Sequence, residues 1–163
     1  GCDDKPFLEQ MLRAGALDVV DFVGIHYNEG ILSPTATSGD PRGNPTHYTR
    51  YYGSMVDTYW KATGGKKPLC FTEIGYLTGE GYPDLTTTAP GFSWASKTTI
   101  TQQAQWLAEA AKIARDSGKV KLLIVFNVDF DTYNKDPQAG YAIIRKDGSC
   151  PACDSLAKVM AGQ

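Results

Sequence analysis

A parallel α/β fold is what this sequence predicts, and three observations predict it. Three β-rich apolar runs, residues 19–27 (VVDFVGIHY), 68–73 (PLCFTE) and 120–127 (VKLLIVFN), each close on polar or reactive side chains. Helical stretches separate them, and strands alternating with helices build a parallel sheet. The segments after the strands are long, whereas the returns into them (15–18, 64–67 and 118–119) are short. That asymmetry gathers the elaborated loops at the carboxyl ends of the strands, where such folds hold their active sites. The order is that of part of a (β/α)8 barrel. The sequence has 163 residues, a complete barrel takes ~250, and the expectation is therefore a single partial barrel domain over 1–163.

Each element has its own signal. Phe7, Leu8, Met11 and Leu12 recur at helical spacing over 5–14, and Gly15 stops that helix. After the first strand, residues 28–45 hold three Pro and three Gly and read as a long loop. Tyr48, Tyr52, Met55, Val56, Tyr59 and Trp60 line one side of a helix over 47–63, a face expected to pack on the sheet. A second long loop, 74–98, carries Tyr76, Tyr82, Phe92 and Trp94. Thr99-Ile-Thr-Gln102 fits a capping box and opens a helix to 117, with Ile100, Ala104, Leu107, Ala108, Ala111 and Ala114 as its buried stripe. A polar loop over 127–140, a short extended piece over 141–144, a turn at 146–148 and a closing helix over 151–160 follow the third strand.

Composition removes several function classes. The net charge is −2 with no basic patch, so nucleic acid is not an expected partner. The longest apolar run is too short to span a bilayer, so no membrane role is expected. No targeting segment is legible, and the compartment is left open, secretion included. Cys70 sits in an apolar strand and reads as a buried small hydrophobe. Cys150-Pro-Ala-Cys153 is either a redox pair at a helix start, or a local disulfide or two thiols flanking a proline at the first helical position. The second group of readings is favoured, because the βαβ context of a redox motif is missing. A zinc site would have to recruit distant Cys2, His26 or His47, and no metal or organic cofactor is expected.

Three segments resemble the retaining glycoside hydrolases of clan A, the cellulase and β-xylosidase type of (β/α)8 barrel. Lys67-Pro-Leu-Cys-Phe-Thr-Glu73-Ile-Gly75 is similar to their seventh strand, and Asp21-Phe-Val-Gly-Ile-His26-Tyr27 to their sixth. Val125-Phe126-Asn127, with Gly140 to Gly148 and the last helix, is similar to their eighth strand and chain end. The resemblance implies the carboxyl-terminal half of such an enzyme, about strands 6–8. It implies Glu73 as the nucleophile, Tyr27 as the hydrogen-bond donor that orients it, and His26 as a contact to a sugar hydroxyl. Phe126 stands where the clan commonly has a tryptophan platform. Asn28, Glu29, Tyr76, Trp94 and Asn127 complete the expected substrate-binding set.

The chemistry needs a second carboxyl group. Glu29 lies 44 residues before Glu73, one β–α unit away, so the two sit on adjacent strands and not on the fourth and seventh. Glu29 is therefore read as a rim residue, and the acid/base glutamate is expected outside this sequence. A half barrel leaves two sheet edges and an apolar face uncovered. The missing amino-terminal half or a homodimer partner is expected to cover them, and the half alone is expected to be inactive. Two other readings stand beside this one: a non-catalytic carbohydrate-binding or pseudo-glycosidase module, and a thiol–disulfide protein built on Cys150 and Cys153.

Overall fold

The three apolar runs become parallel strands β1 (Val23–Tyr27), β2 (Leu69–Ile74) and β3 (Val120–Val125), hydrogen-bonded in that order. This is a computed structural model, and it describes residues 4–162; Cys2, a candidate zinc ligand, lies outside them. β1 starts later than expected. Gly15, at φ 87°, ends the first helix, and Ala16–Asp18 form a 3-10 turn. The first link from β1 to its neighbour is Val23 N–H to the Pro68 carbonyl at 3.0 Å, so residues 19–22 have no strand to pair with.

The helices are α1 (Asp4–Arg13), α2 (Tyr52–Ala62), a short α3 (Leu85–Thr88), α4 (Ile100–Ser117) and α5 (Pro151–Met160). α2 begins after the expected position because Tyr51 is extended (φ −130°, ψ 131°) and residues 48–50 make a separate 3-10 turn. The loop expected over 74–98 contains α3, capped by Asp84, and a 3-10 stretch over Pro90–Ala95. The expected extended piece at 141–144 is not a strand. Its Ile143 and Ile144 N–H groups donate to the Asn127 and Val128 carbonyls at 3.1 and 2.8 Å, pinning it to the chain leaving β3.

The core lies between the sheet and the helices. Ile25 and Tyr27 of β1 and Leu69, Phe71 and Ile74 of β2 pack against Tyr52, Met55 and Tyr59 of α2 and Leu107 and Ala110 of α4. The aromatic stripe of α2 is thus largely a packing face, as expected. On α4 the buried set differs from the expected one. Gln103 and Ala110 are buried, whereas Ala108 and Ala111 are only half-buried. The Gln103 amide donates to the carbonyls of Tyr76, Gly140 and Tyr141 at 2.7, 3.1 and 3.3 Å. A buried amide is admissible there because its donor nitrogen is satisfied by loop carbonyls. The opposite face of the sheet is open, with Phe22, Leu122 and Ile124 exposed by 42, 45 and 47%. Phe7 and Met11 of α1 also face outward.

The capping box forms as the sequence implies. Thr99 Oγ1 accepts the Gln102 N–H at 3.1 Å, and the Gln102 side chain accepts the Thr99 N–H at 2.9 Å. Thr99→Ala is expected to cost about 1 kcal/mol, the usual loss for a removed N-cap, read as a lower urea midpoint with an unchanged slope. Cys150 and Cys153 form a disulfide across the first turn of α5, with Pro151 in its opening position. Cys70 is buried and free, and burial pushes its thiol pKa up. Among the described residues, no helix is long and apolar enough to cross a membrane.

Candidate functional site

Glu73 ends up accessible because β2 is irregular. Leu69 and Phe71 face the helices, and strict alternation would bury Glu73 beside them. The β2–β3 register shifts between Phe71 and Ile74 instead, and Ile74 rejoins the core. Thr72 and Glu73 are both left half-buried, and the Glu73 side chain is 33% exposed. A second shift, between Ile25 and His26 against β2, sets His26 opposite Glu73. Irregularities of this kind re-aim side chains at the ends of strands.

One carboxylate oxygen of Glu73 is held and the other is open. Oε2 accepts the Asn28 Nδ2–H at 2.7 Å and lies 3.4 Å from His26 Nδ1. Oε1 takes no hydrogen bond from any described residue. His26 is more exposed than Glu73, at 58% of its side chain. The strand ends close tightly behind this trio at Gly75. A Cβ there would lie 2.2 Å from the Phe126 carbonyl oxygen, 2.9 Å from the Tyr141 ring and 3.3 Å from Asn28 Oδ1. Tyr141 Oη donates to the Asn28 carbonyl at 2.8 Å, so the residue that holds Glu73 is itself held.

The residues expected at the site divide into two groups. Glu73, His26 and Asn28 come together. Phe126 stands at the end of β3, half-buried, with its ring edge-on to Tyr141 at 5.7 Å. Tyr27 does not meet Glu73. Its strand parity matches Ile25, its ring enters the core between Tyr52 and Tyr76, and its hydroxyl donates to the Arg50 carbonyl at 3.3 Å. Asn28, and not Tyr27, donates to the Glu73 carboxylate. Tyr76 is fully buried against Tyr27 and Trp106 and does not extend an open site. Burial pushes the hydroxyl pKa values of Tyr27, Tyr52, Tyr76 and Tyr141 far above the usual tyrosine value, so all four stay neutral.

Asn127 secures its own loop, donating to the Gln138 carbonyl at 2.9 Å and accepting the Phe130 N–H at 3.0 Å. The Glu29 carboxylate points to Arg50 at 3.4 Å and is 62% exposed. Trp94 packs near Phe92, and the Arg42 guanidinium lies 5.1 Å over its ring, occupying one face. A cleft of about 330 Å3 runs beside the trio, lined by His26, Tyr27, Asn28 and Glu29 with Asp4, Thr49 and Met55. Among the described residues, no three His, Cys, Asp or Glu side chains gather as a metal would need.

Sequence reasoning missed the clamp that shapes this rim. Asp40 is buried, and its carboxylate accepts the Arg42 backbone N–H at 2.9 Å, Nε at 3.0 Å and Nη2 at 2.6 Å. Arg42 Nη2 also donates to the Glu29 carbonyl at 2.8 Å. The Arg42 guanidinium holds the Asp40 carboxyl below the usual carboxylate range. Asp40-Pro-Arg42 was the available signal, since an aspartate commonly accepts the N–H two residues on.

The fold and site together define a mixed α/β protein with a three-stranded parallel sheet and an oriented carboxylate at the end of its central strand. No protein-family model matches the sequence, and no curated protein matches it. Among solved structures, the chain is similar to a GH128 subgroup VII oligosaccharide-binding protein from Trichoderma gamsii, at 15% identity and a TM-score of 0.48. The match covers 87% of this chain and 42% of that one, so the chain spans less than half of that protein's length. A likeness of this size decides neither fold nor function.

Proposed function

We propose that this chain is the carboxyl-terminal portion of a (β/α)8 barrel of a retaining O-glycoside hydrolase, with Glu73 as its nucleophile. The observation that carries the reading is the asymmetry of that carboxylate: Oε2 is fixed by Asn28 at 2.7 Å and lies near His26, whereas Oε1 takes no hydrogen bond from any described residue. A strand-end glutamate with one oxygen pinned and the other free is positioned to attack. In the first step Oε1 bonds to the anomeric carbon as the glycosidic C–O bond breaks. The leaving oxygen takes its electron pair and a proton from the second carboxyl group, about 5–5.5 Å from the first in such enzymes. Water then attacks the same carbon, gives its proton to that second group, and frees Glu73. The substrate is an oligo- or polysaccharide. His26 contacts a sugar hydroxyl, and Phe126 forms an apolar wall.

The second carboxyl group is supplied from outside this chain. Glu29 turns to Arg50, and the partners of Glu73 among the described residues are Asn28 and His26. The unpaired edges of β1 and β3 and the exposed Phe22, Leu122 and Ile124 are where further strands would pair and pack.

Dinitrophenyl 2-deoxy-2-fluoroglycosides test this without the missing acid, because their leaving group departs unprotonated. Incubation with the glucosyl, xylosyl and mannosyl forms is expected to add one glycosyl mass to the peptide bearing Glu73, and to add none in Glu73→Gln. An adduct on another residue, or no adduct from any of them, sinks the assignment. Saccharide binding without an adduct would favour the non-catalytic binding module.

A further inference from the structure

A second cleft, of about 520 Å3, opens between the loop that follows β2 and the loop that follows β3. Its volume falls within the about 300–1,000 Å3 of small-ligand sites. The floor is aromatic and fixed. Tyr82 stacks on Tyr133 with centroids 4.3 Å apart and planes 11° from parallel. Tyr133 Oη donates to the Pro83 carbonyl at 2.9 Å. The Arg145 guanidinium lies 5.2 Å from the Tyr82 ring, and its Nη2 and Nη1 donate to the carbonyls of Glu80 and Ala142 at 2.9 and 3.1 Å. Arg145 is 6% exposed, so it ties the two loops together and is not itself available to a ligand.

The rim differs from the floor. Phe130 is 53% exposed at the mouth. Asp129, Asp131 and Lys146 line the cleft with exposed side chains that make no hydrogen bond or ion pair with any described residue. Covering this surface with protein would strip water from three unpaired charges, each of which costs free energy unless a partner replaces it. A saccharide avoids that cost, because its hydroxyls donate to the carboxylates and accept from the ammonium. The weakly positive C–H face of a sugar ring also complements the negative face of an aromatic ring. Two carboxylates at the mouth disfavour uronates and sulfated sugars.

The geometry points to this cleft as an accessory subsite for a neutral saccharide unit, separate from the trio at the ends of β1 and β2 and lined by the loops that follow β2 and β3. This rests on the glycosidase reading of Glu73, and it makes the substrate an uncharged oligosaccharide long enough to reach both places. Titration calorimetry with cello-, xylo-, manno- and laminarihexaose tests it on the wild-type chain and on Phe130→Ala, Asp131→Asn and His26→Ala. Far-UV circular dichroism checks that each variant is folded.

The expected result is that Phe130→Ala and Asp131→Asn each weaken binding of the best hexasaccharide about tenfold, the equivalent of about 1.4 kcal/mol. If His26→Ala weakens binding and the other two do not, the subsite is overturned and the Glu73 reading stands. If the two cleft variants weaken binding and His26→Ala does not, the subsite stands and the Glu73 reading fails. Preference for an oligogalacturonide over all four neutral sugars overturns the assigned class. No binding of any hexasaccharide overturns both readings.

Discussion

Gly75→Ala is expected to destabilise the protein by about 3 kcal/mol, the upper end of the usual cost of overpacking a closed site. The added Cβ would lie 2.2 Å from the Phe126 carbonyl oxygen and 2.9 Å from a Tyr141 ring carbon. The first of these neighbours is backbone, at the carboxyl end of β3, and it cannot swing aside as a side-chain tip can. Gly75 is fixed from the other side as well, since its N–H donates to the Tyr27 carbonyl at 3.0 Å. Relief therefore requires one of the three strand ends to move. The Asn28 amide oxygen is 3.3 Å from the same point, so the group that holds Glu73 moves too. Urea unfolding reads the first effect, and loss of labelling at Glu73 in protein that remains folded reads the second. Gly53→Ala is the control. Gly53 lies in α2 with nothing within 4 Å of its added Cβ, and alanine there is expected to stabilise by up to about 1 kcal/mol through helix propensity. A Gly75→Ala protein as stable as wild type would mean that the strand ends are not closed as described.

This junction also marks how far the sequence can be read. The elements were legible because their signals are periodic and local. α5 spans Pro151–Met160 as its opening proline implies, and the capping box at Thr99 forms in both directions. Glu73 was legible as a strand-end carboxylate, but its accessibility was not. Alternation from Leu69 and Phe71 would have buried it, and only the shifted register before Ile74, set by neighbouring strands far away in sequence, leaves it partly exposed. The position of Tyr27 was available from the sequence, since Val23, Ile25 and Tyr27 share one face of a strand. A role drawn from resemblance placed it at the nucleophile, and the parity of its own strand carries it into the core. Tyr76, two residues past Ile74, is likewise drawn inward by the ring of Trp106 on α4, a contact no local pattern announces. The short helix α3 and the 3-10 turn at Pro90–Ala95 were missed because they are too brief to leave a periodic trace.

Asp40→Asn is expected to cost about 3 kcal/mol at neutral pH, because removing one partner of a buried ion pair leaves the other uncompensated. The Asp40 side chain is fully buried and the Arg42 side chain is 14% exposed. Arg42 in turn spans the Asp40 carboxylate, the Glu29 carbonyl and the face of Trp94. The substitution thus loosens the loop after β1 from the loop after β2. The pH dependence separates this ion pair from mere packing. Arg42 depresses the folded-state pKa of Asp40, whereas in the unfolded chain it is near 3.9. A depressed carboxyl stabilises the fold fully above the unfolded value and loses that contribution as pH falls through the folded value. The stability difference between wild type and Asp40→Asn is therefore expected to be flat from pH 7 to 5 and to shrink steadily below about pH 4. A difference that stays constant down to pH 2 would assign the loss to shape alone. A difference near zero at neutral pH would mean that the loop stands without its clamp, and the rim beside Glu73 would then owe its form to the Tyr51 hydroxyl, which donates to the Pro45 carbonyl at 2.6 Å and accepts the Asp40 N–H at 3.3 Å.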